Sequence, residues 1–276
     1  MTKFDDETSL TRTGDGIYKG ELSPDWSIVR GANGGHLAAI VLRGMTMEIN
    51  DAERTPRTLT VHFARVPKNA RFEVHTTLER SGRTTSTITA RMVQDDKLIA
   101  IGLSAFATEL EGPDFSDLVM PEVPAPDAVE QSSDRPDFPF GHHFDFRPVV
   151  GPLLRSPHVQ VEGDASSPAE IALWIRTREP QPTDHVVVAQ LMDAFAPAVF
   201  TKLGTGGGGA GVPTIEMTTH FRERLPLAGE RPGAWHFALF RTLTSRGGFI
   251  EEDGWLWNSD GVLVAQSRQF ALLMGS

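Results

Sequence analysis

The sequence predicts an α+β protein made of two copies of one unit, each an antiparallel sheet packed on a single long apolar helix. Three observations predict it. A glycine-flanked apolar helix followed by strand-like segments occurs twice in the same order. The two occurrences fall in register: His62, Phe63 and Pro67 match His220, Phe221 and Pro226 at offsets of 158 to 159, and Asp96, Phe106 and Ala107 match Asp260, Phe270 and Ala271 at 164. Between the copies, nine of the 19 prolines lie from Pro113 to Pro157, among Asp, Ser and Glu, as in a connector. A period this long points to duplication of a whole domain, and 276 residues suit two units of ordinary domain size.

The elements follow from their patterns. After an early strand or two, Asn33 to Met45 (NGGHLAAIVLRGM) open with two glycines and continue as a helix apolar on nearly every side, which something else has to wrap. Leu59, Val61 and Phe63 then alternate with Thr60 and His62, Phe72 and Val74 flank Glu73, and Ile88, Ala90 and Met92 alternate with Thr89 and Arg91. Period two marks half-buried strands. The short joints Ser81 to Arg83 and Gln94 to Lys97 make them a meander, against which the helix buries itself. In the second copy, Val187 to Phe200 (VVAQLMDAFAPAVF) is the expected helix, and TIEMTTHFRERLP, AWHFALFRTL, FIEEDGWLWN and GVLVAQSRQFALL are the strands, with NSDG (Asn258 to Gly261) as a turn. The expected units are 1–112 and 141–276, with the proline-rich connector at 113–140.

Composition narrows the function. Hydrophobic residues make up 39% of the chain and charged residues 22%, enough for a buried core. A net charge of −10 gives no basic field of the kind that draws proteins to nucleic acid. The absence of cysteine excludes disulfides, zinc ribbons, iron–sulfur clusters and a thiol nucleophile. The acidic start MTKFDDETSL is unlike a signal peptide, and no stretch is apolar for the 18 residues or more that a membrane span needs, so a soluble cytoplasmic protein is expected.

Several segments in order carry a resemblance. ELSPDWSIVRGANGGHLAA (Glu21 to Ala39), HFDFRPV (His143 to Val149), IALWIRT (Ile171 to Thr177) and DGVLVAQSRQ (Asp260 to Gln269) are similar to the acyl-CoA thioesterase II type of thioesterase-like proteins, over about Asp15 to Leu273. The resemblance implies a double hotdog fold and hydrolysis of an acyl-CoA to free acid and CoA, with no metal or other cofactor. It also implies that an Asp on the second helix, a Thr at the start of the next strand and a Gln on the last strand orient the attacking water. These fall on Asp193, Thr214 and Gln269.

The residues themselves support the three unequally. Asp193 lies within LMDAFAPAVF, where an ionised carboxylate needs partners and burial raises its pKa toward the range of a general base; a helix cap is the plainer alternative. Gln269 shares its parity with Leu263, Ala265, Ser267 and Ala271, and its first-half match at offset 164 is Ala105, so a glutamine stands where the other copy is apolar; the alternative is a strand end. Thr214 shares parity with Glu216, Thr218 and His220, not with the core-facing Met217, Thr219 and Phe221. It therefore serves only if the strand begins after it, with Thr218 and Thr219 as fallbacks and an ordinary strand start as the alternative.

In the first half Gly35, Pro56 and Ala105 stand at the matching positions, so one active half per chain is expected. Gly34 and Gly35 are expected to bind substrate, their N–H groups polarising a thioester carbonyl at a helix start, unless they only make a tight entry to the helix. His36 receives no role. GTGGGGAG (Gly204 to Gly211) lacks the Lys and Ser/Thr of a P-loop, His142 and His143 lack a second ligand pair and read as connector surface, and there is no Gly-x-Ser-x-Gly elbow. Arg222, Arg224, Arg241 and Arg246 read as solvated charge, with CoA phosphates as the alternative. Two rival functions are a non-catalytic acyl-thioester binder and an enoyl-CoA hydratase. For the hydratase, the family pattern places a His five residues past the Asp, where this chain has Ala198. Edge pairing of such units favours a homodimer.

Overall fold

The computed structural model describes residues 1–28, 31–130, 138–151, 161–205 and 211–273. The chain opens with a short helix, α1 (Lys3–Glu7), and the strands β1 (Thr11–Gly14) and β2 (Ile17–Glu21). Two very short strands, β3 (Ser27–Ile28) and β4 (Gly31–Ala32), pair only with each other and lead into the helix α2 (Gly34–Ile49). Asn33 caps α2, its side chain accepting from the His36 N–H, and Asn50 ends it in the left-handed conformation. The meander follows as β5 (Thr55–Phe63), β6 (Arg71–Ser81), β7 (Thr85–Gln94) and β8 (Lys97–Ala107). Asp95 and Asp96, at φ 50 and 57, make the tight turn between β7 and β8, a conformation that suits the right-handed twist of a hairpin.

The second half starts with β9 (Phe144–Val150) and β10 (Glu170–Thr177), then the helices α3 (His185–Leu191) and α4 (Val199–Leu203). Its strands are β11 (Thr214–Phe221), β12 (His236–Arg241), the short β13 (Ser245–Arg246), β14 (Phe249–Asn258) and β15 (Leu263–Leu272). The expected helix over Val187 to Phe200 is thus broken in two. Pro197 supplies no N–H and disfavours helical backbone at Ala196, so α3 stops at Leu191, capped by Met192, and α4 starts only at Val199.

Among the described residues the other strands form one continuous sheet in the order β1-β2-β6-β7-β8-β5-β11-β15-β14-β12-β10-β9, with β13 beside β14. The halves join where β5 pairs antiparallel with β11, and Thr60 faces Thr218 there with their hydroxyls 2.8 Å apart, at a separation of 158 residues. That self-equivalent pair marks a pseudo-twofold axis. One edge of each unit is thus paired inside the chain, and β1 and β9 end the sheet.

The sheet curls around α2, whose Ala38, Ala39, Ile40, Val41, Leu42 and Met45 are wholly buried. Removing each larger side chain from water contributes roughly 1.5–3 kcal/mol, which makes α2 the centre of the core. On the other face of the second-half sheet, Trp174, Trp235, Phe237 and Trp257 pack under Met120, Val123 and Val129 of the proline-rich segment. Trp174 donates its indole N–H to the Pro124 carbonyl at 3.0 Å. His143, expected on a connector surface, instead stacks on Trp26 with ring centroids 4.1 Å apart.

Candidate functional site

The start of α2 meets the end of α3 beside the pseudo-twofold axis, and the expected site residues converge there. Asp193 lies in the turn after α3, not on a helix. Its Oδ2 accepts from the Gly35 N–H at 2.8 Å and from Asn33 Nδ2 at 3.0 Å. Asn33 Nδ2 also donates to the Asp193 carbonyl at 2.8 Å, while its Oδ1 accepts from Gln190 Nε2 at 2.7 Å. Two N–H donors from the first half therefore hold a carboxylate of the second.

The close approach requires glycine. A Cβ on Gly35 would lie 2.6 Å from the Gln190 carbonyl oxygen, and one on Gly34 would lie 2.8 Å from Asp193 Oδ2. The Gly35 N–H, expected to face a substrate carbonyl, is engaged by the carboxylate. The shared cause is the helix start: free N–H groups and the positive end of the α2 dipole attract an anion, and the nearest one belongs to the chain itself.

Gln269 approaches from β15. Its Nε2 donates to Asp193 Oδ1 and to the Met192 carbonyl, both at 3.3 Å, and its Oε1 accepts from the Thr214 hydroxyl at 3.0 Å. The Thr214 bond fixes which end of the amide faces the carboxylate. Thr214 belongs to β11 and does not precede it. It reaches the inner face because a bulge inserts Ile215 between the pairs Thr214–Ala271 and Glu216–Phe270, which reverses the parity of the strand. The same bulge stands in the first half, where Pro56 pairs with Phe106 and Thr58 with Ala105.

The ladder also corrects the match between halves. Thr58 pairs with Ala105 and its equivalent Glu216 with Phe270, so Gln269 corresponds to Ser104, not Ala105. Burial agrees: Ser104 and Phe106 are wholly buried, whereas Leu103 is 48% exposed.

Burial pushes the Asp193 carboxyl up from 3.8 to about 6, against the opposing pull of the donors on Gly35, Gln269, Asn33 and Gly34. Near neutral pH it is ionised and still basic enough to take a proton. Oδ2 already accepts two hydrogen bonds and Oδ1 one long one, so Oδ1 has a lone pair to spare. Gly34, Phe63, Asp193 and Thr214 keep part of their surface accessible, while Asn33, Gly35, Gln190 and Gln269 are buried.

Sequence reasoning missed Asn33, Gln190 and Glu252. Asn33 was visible as an Asn ahead of a glycine pair and an apolar run, an N-cap signal, although its partner 160 residues away was not. Glu252 stands with Ile250, Gly254 and Leu256 on the inward parity of β14, a lone charge on an apolar face. His36 is wholly buried, stacked on Trp26 at 4.4 Å, and burial pushes its pKa down to about 3, so it stays neutral within the core. Arg222, Arg224 and Arg241 bond Gln266, Glu53 and Glu170 respectively, and Arg246 is exposed. Of the glycine-rich loop, residues 206–210 lie outside the described residues.

Two antiparallel units fused into one sheet, the first around a long central helix, with a carboxylate where their helix ends meet, define a double hotdog protein. Residues 22–108 match the acyl-CoA thioesterase N-terminal domain family and residues 121–273 the acyl-CoA thioesterase C-terminal domain family. The chain belongs to the acyl-CoA thioesterase family. No curated protein matches it.

Among solved structures it is similar to a conserved protein of unknown function with a hot dog fold from Alicyclobacillus acidocaldarius, at 26% identity over 100% of this chain and 99% of that one, with a TM-score of 0.87. A candidate thioesterase II from Thermobifida fusca has 24% identity over 100% and 98%, with a TM-score of 0.82. The acyl-CoA thioesterase II TesB2 of Mycobacterium marinum has 21% identity over 99% and 98%, with a TM-score of 0.77. Among the described residues, no helix is long and apolar enough to cross a membrane.

Proposed function

We propose that this protein hydrolyses an acyl-CoA thioester to the free carboxylic acid and CoA, with Asp193 as general base. The observation that carries the reading is the half-buried carboxylate held by Gly35, Asn33 and Gln269 with one oxygen left to accept from water. Membership of the acyl-CoA thioesterase family supports an acyl-CoA as the substrate.

In this reading a water donates to Asp193 Oδ1 and lies beside Gln269. Asp193 takes its proton as the water oxygen bonds to the thioester carbon, the C–S bond then breaks, and the proton passes to the departing CoA sulfur. Thr214 acts by fixing the Gln269 amide. The thioester carbonyl lies at the first turn of α2, where Gly34 and Gly35 carry no side chain and the positive end of the helix dipole favours the developing oxyanion.

Thiol release from a panel of acyl-CoAs of different chain length, by the wild type and Asp193→Ala, tests the reading. Turnover is expected in the wild type, with a loss of about 10²–10⁴-fold in the variant, the range of a lost general base. Saturable binding without turnover at high protein concentration refutes hydrolysis and leaves a thioester-binding protein, and equal rates in the two proteins remove Asp193 as the base.

A further inference from the structure

A second carboxyl group lies inside the same site, and nothing in the water-activating role of Asp193, Gln269 and Thr214 uses it. Glu252 is 8% exposed and sits directly across the β14–β15 ladder from Gln269. Both side chains are buried on the inner face, and cross-strand neighbours of this kind have Cβ atoms about 4.5–5.5 Å apart. Glu252 Oε2 accepts from the Ala198 N–H at 2.6 Å, just ahead of α4, while Gln269 Nε2 holds the Met192 carbonyl at the end of α3.

The two sides of one rung of the sheet thus grip the two ends of one turn, Asp193 to Ala198, which carries the carboxylate and interrupts the helix. The first half has no such arrangement. Ile88 pairs with Ser104 where Glu252 pairs with Gln269, both are wholly buried, and α2 runs unbroken.

We propose that Glu252 is a positioning residue of the Asp193 site: its carboxyl group fixes the far end of the Asp193–Ala198 turn, and ionisation of Glu252 beside an ionised Asp193 lowers turnover. This rests on the thioesterase reading for its activity readout. Burial, and then the neighbouring Asp193 charge, push the Glu252 carboxyl up to about 7, against the hydrogen bond from Ala198. Asp193 is the titratable group facing it from the turn. Gln269 on β15 and Thr242 just after β12 are neutral, and Glu251, on the opposite face of β14, bonds the Leu243 N–H. Asp193 holds its charge against three N–H donors and Glu252 against one short bond and a long one, so Glu252 ionises next to an existing negative charge, and the oxyanion of the reaction then forms near two.

Two measurements on wild type, Glu252→Gln and Glu252→Ala decide it: kcat and KM for an acyl-CoA from pH 5 to 9, and amide exchange of the peptide spanning 192–200. The Ala variant is expected to lose about tenfold or more in kcat with little change in KM, and to exchange faster in 192–200 than elsewhere. The Gln variant keeps an oxygen for the Ala198 N–H, recovers most of the lost kcat and the slow exchange, and lacks the decline in kcat that the wild type shows as pH rises through about 7. Wild-type kcat and exchange in the Ala variant overturn the positioning role, and an unchanged alkaline decline in the Gln variant overturns the ionisation. A wild type that hydrolyses no thioester refutes the thioesterase reading instead, and the exchange data then decide whether Glu252 holds the turn.

Discussion

In the first half α2 runs unbroken from Gly34 to Ile49, while in the second the chain turns at Asp193 and becomes helical again only at Val199. At the centre the halves are nearly the same: Thr60 faces Thr218, and both entry strands carry the same bulge. They diverge on the inner face, where Ser104 and Ile88 of the first half correspond to Gln269 and Glu252 of the second. The first copy spends its inner face on packing a helix. The second gives up that packing for a polar cluster, and the first then contributes Asn33 and Gly35 to hold the cluster's carboxylate. Duplication thus left one copy that packs a long helix and one that carries a polar cluster, the first holding the second's carboxylate.

The sharpest break in the comparison is expected at the Ser104–Gln269 pair. Gln269→Ala should lower kcat by roughly 10²–10³-fold, the scale seen when a polar group aimed at the reacting centre is removed. Ser104→Ala should leave kcat within about twofold and lower stability by about 1 kcal/mol, the worth of its hydrogen bond to the Thr58 carbonyl, read by denaturant unfolding. Next, Gly35→Ala forces a Cβ against the Gln190 carbonyl. A displaced N–H donor should lower kcat by about 10²-fold, and crowding should cost about 1–3 kcal/mol in the same unfolding assay.

Thr214→Val removes one bond from the chain and should lower kcat roughly fivefold, as befits about 1 kcal/mol of positioning, with Thr214→Ser recovering most of it. The smallest effect belongs to the axis. Thr60→Val and Thr218→Val should each cost about 0.5–1.5 kcal/mol of stability and leave steady-state kinetics unaltered.

The duplication was legible because strands of period two and a repeated order of patterns survive divergence. The resemblance points to Asp193, Thr214 and Gln269, of which only Asp193 and Gln269 also stand out as polar residues in apolar settings, and the structure brings all three into one hydrogen-bonded chain. What failed was register. Phe106 was matched to Phe270 because both are aromatic, yet Phe106 is wholly buried, whereas Phe270 is 42% exposed and stacks on Phe249. The error of one residue moved Gln269 opposite Ala105, since a one-residue slip puts every side chain on the other face. The bulge at Ile215 misled the parity of Thr214 in the same way. The broken helix was missed because apolar composition outweighed Pro197, and the contacts from Asn33 and Gln190 join residues 157 to 160 apart that no local pattern relates.

On the proposed reading, half-buried Asp193 is kept reactive at the expense of stability. Its carboxyl binds a proton more tightly when folded, about 6 against 3.8, so its stabilising contribution is present below about pH 4 and is lost as pH rises toward 6. At about 1.4 kcal/mol per pKa unit, the loss above pH 6 is on the order of 2–3 kcal/mol. The direct test is thermal unfolding of wild type and Asp193→Asn from pH 4 to 8, with thiol release from an acyl-CoA measured on the same samples. The account predicts that the Asn variant is inactive and that its stability relative to wild type rises by about 2–3 kcal/mol from pH 4 to 8, on top of a constant cost from an amide N–H facing the donors that held the carboxylate. A variant that turns over thioester normally, or whose stability relative to wild type does not rise with pH, contradicts it.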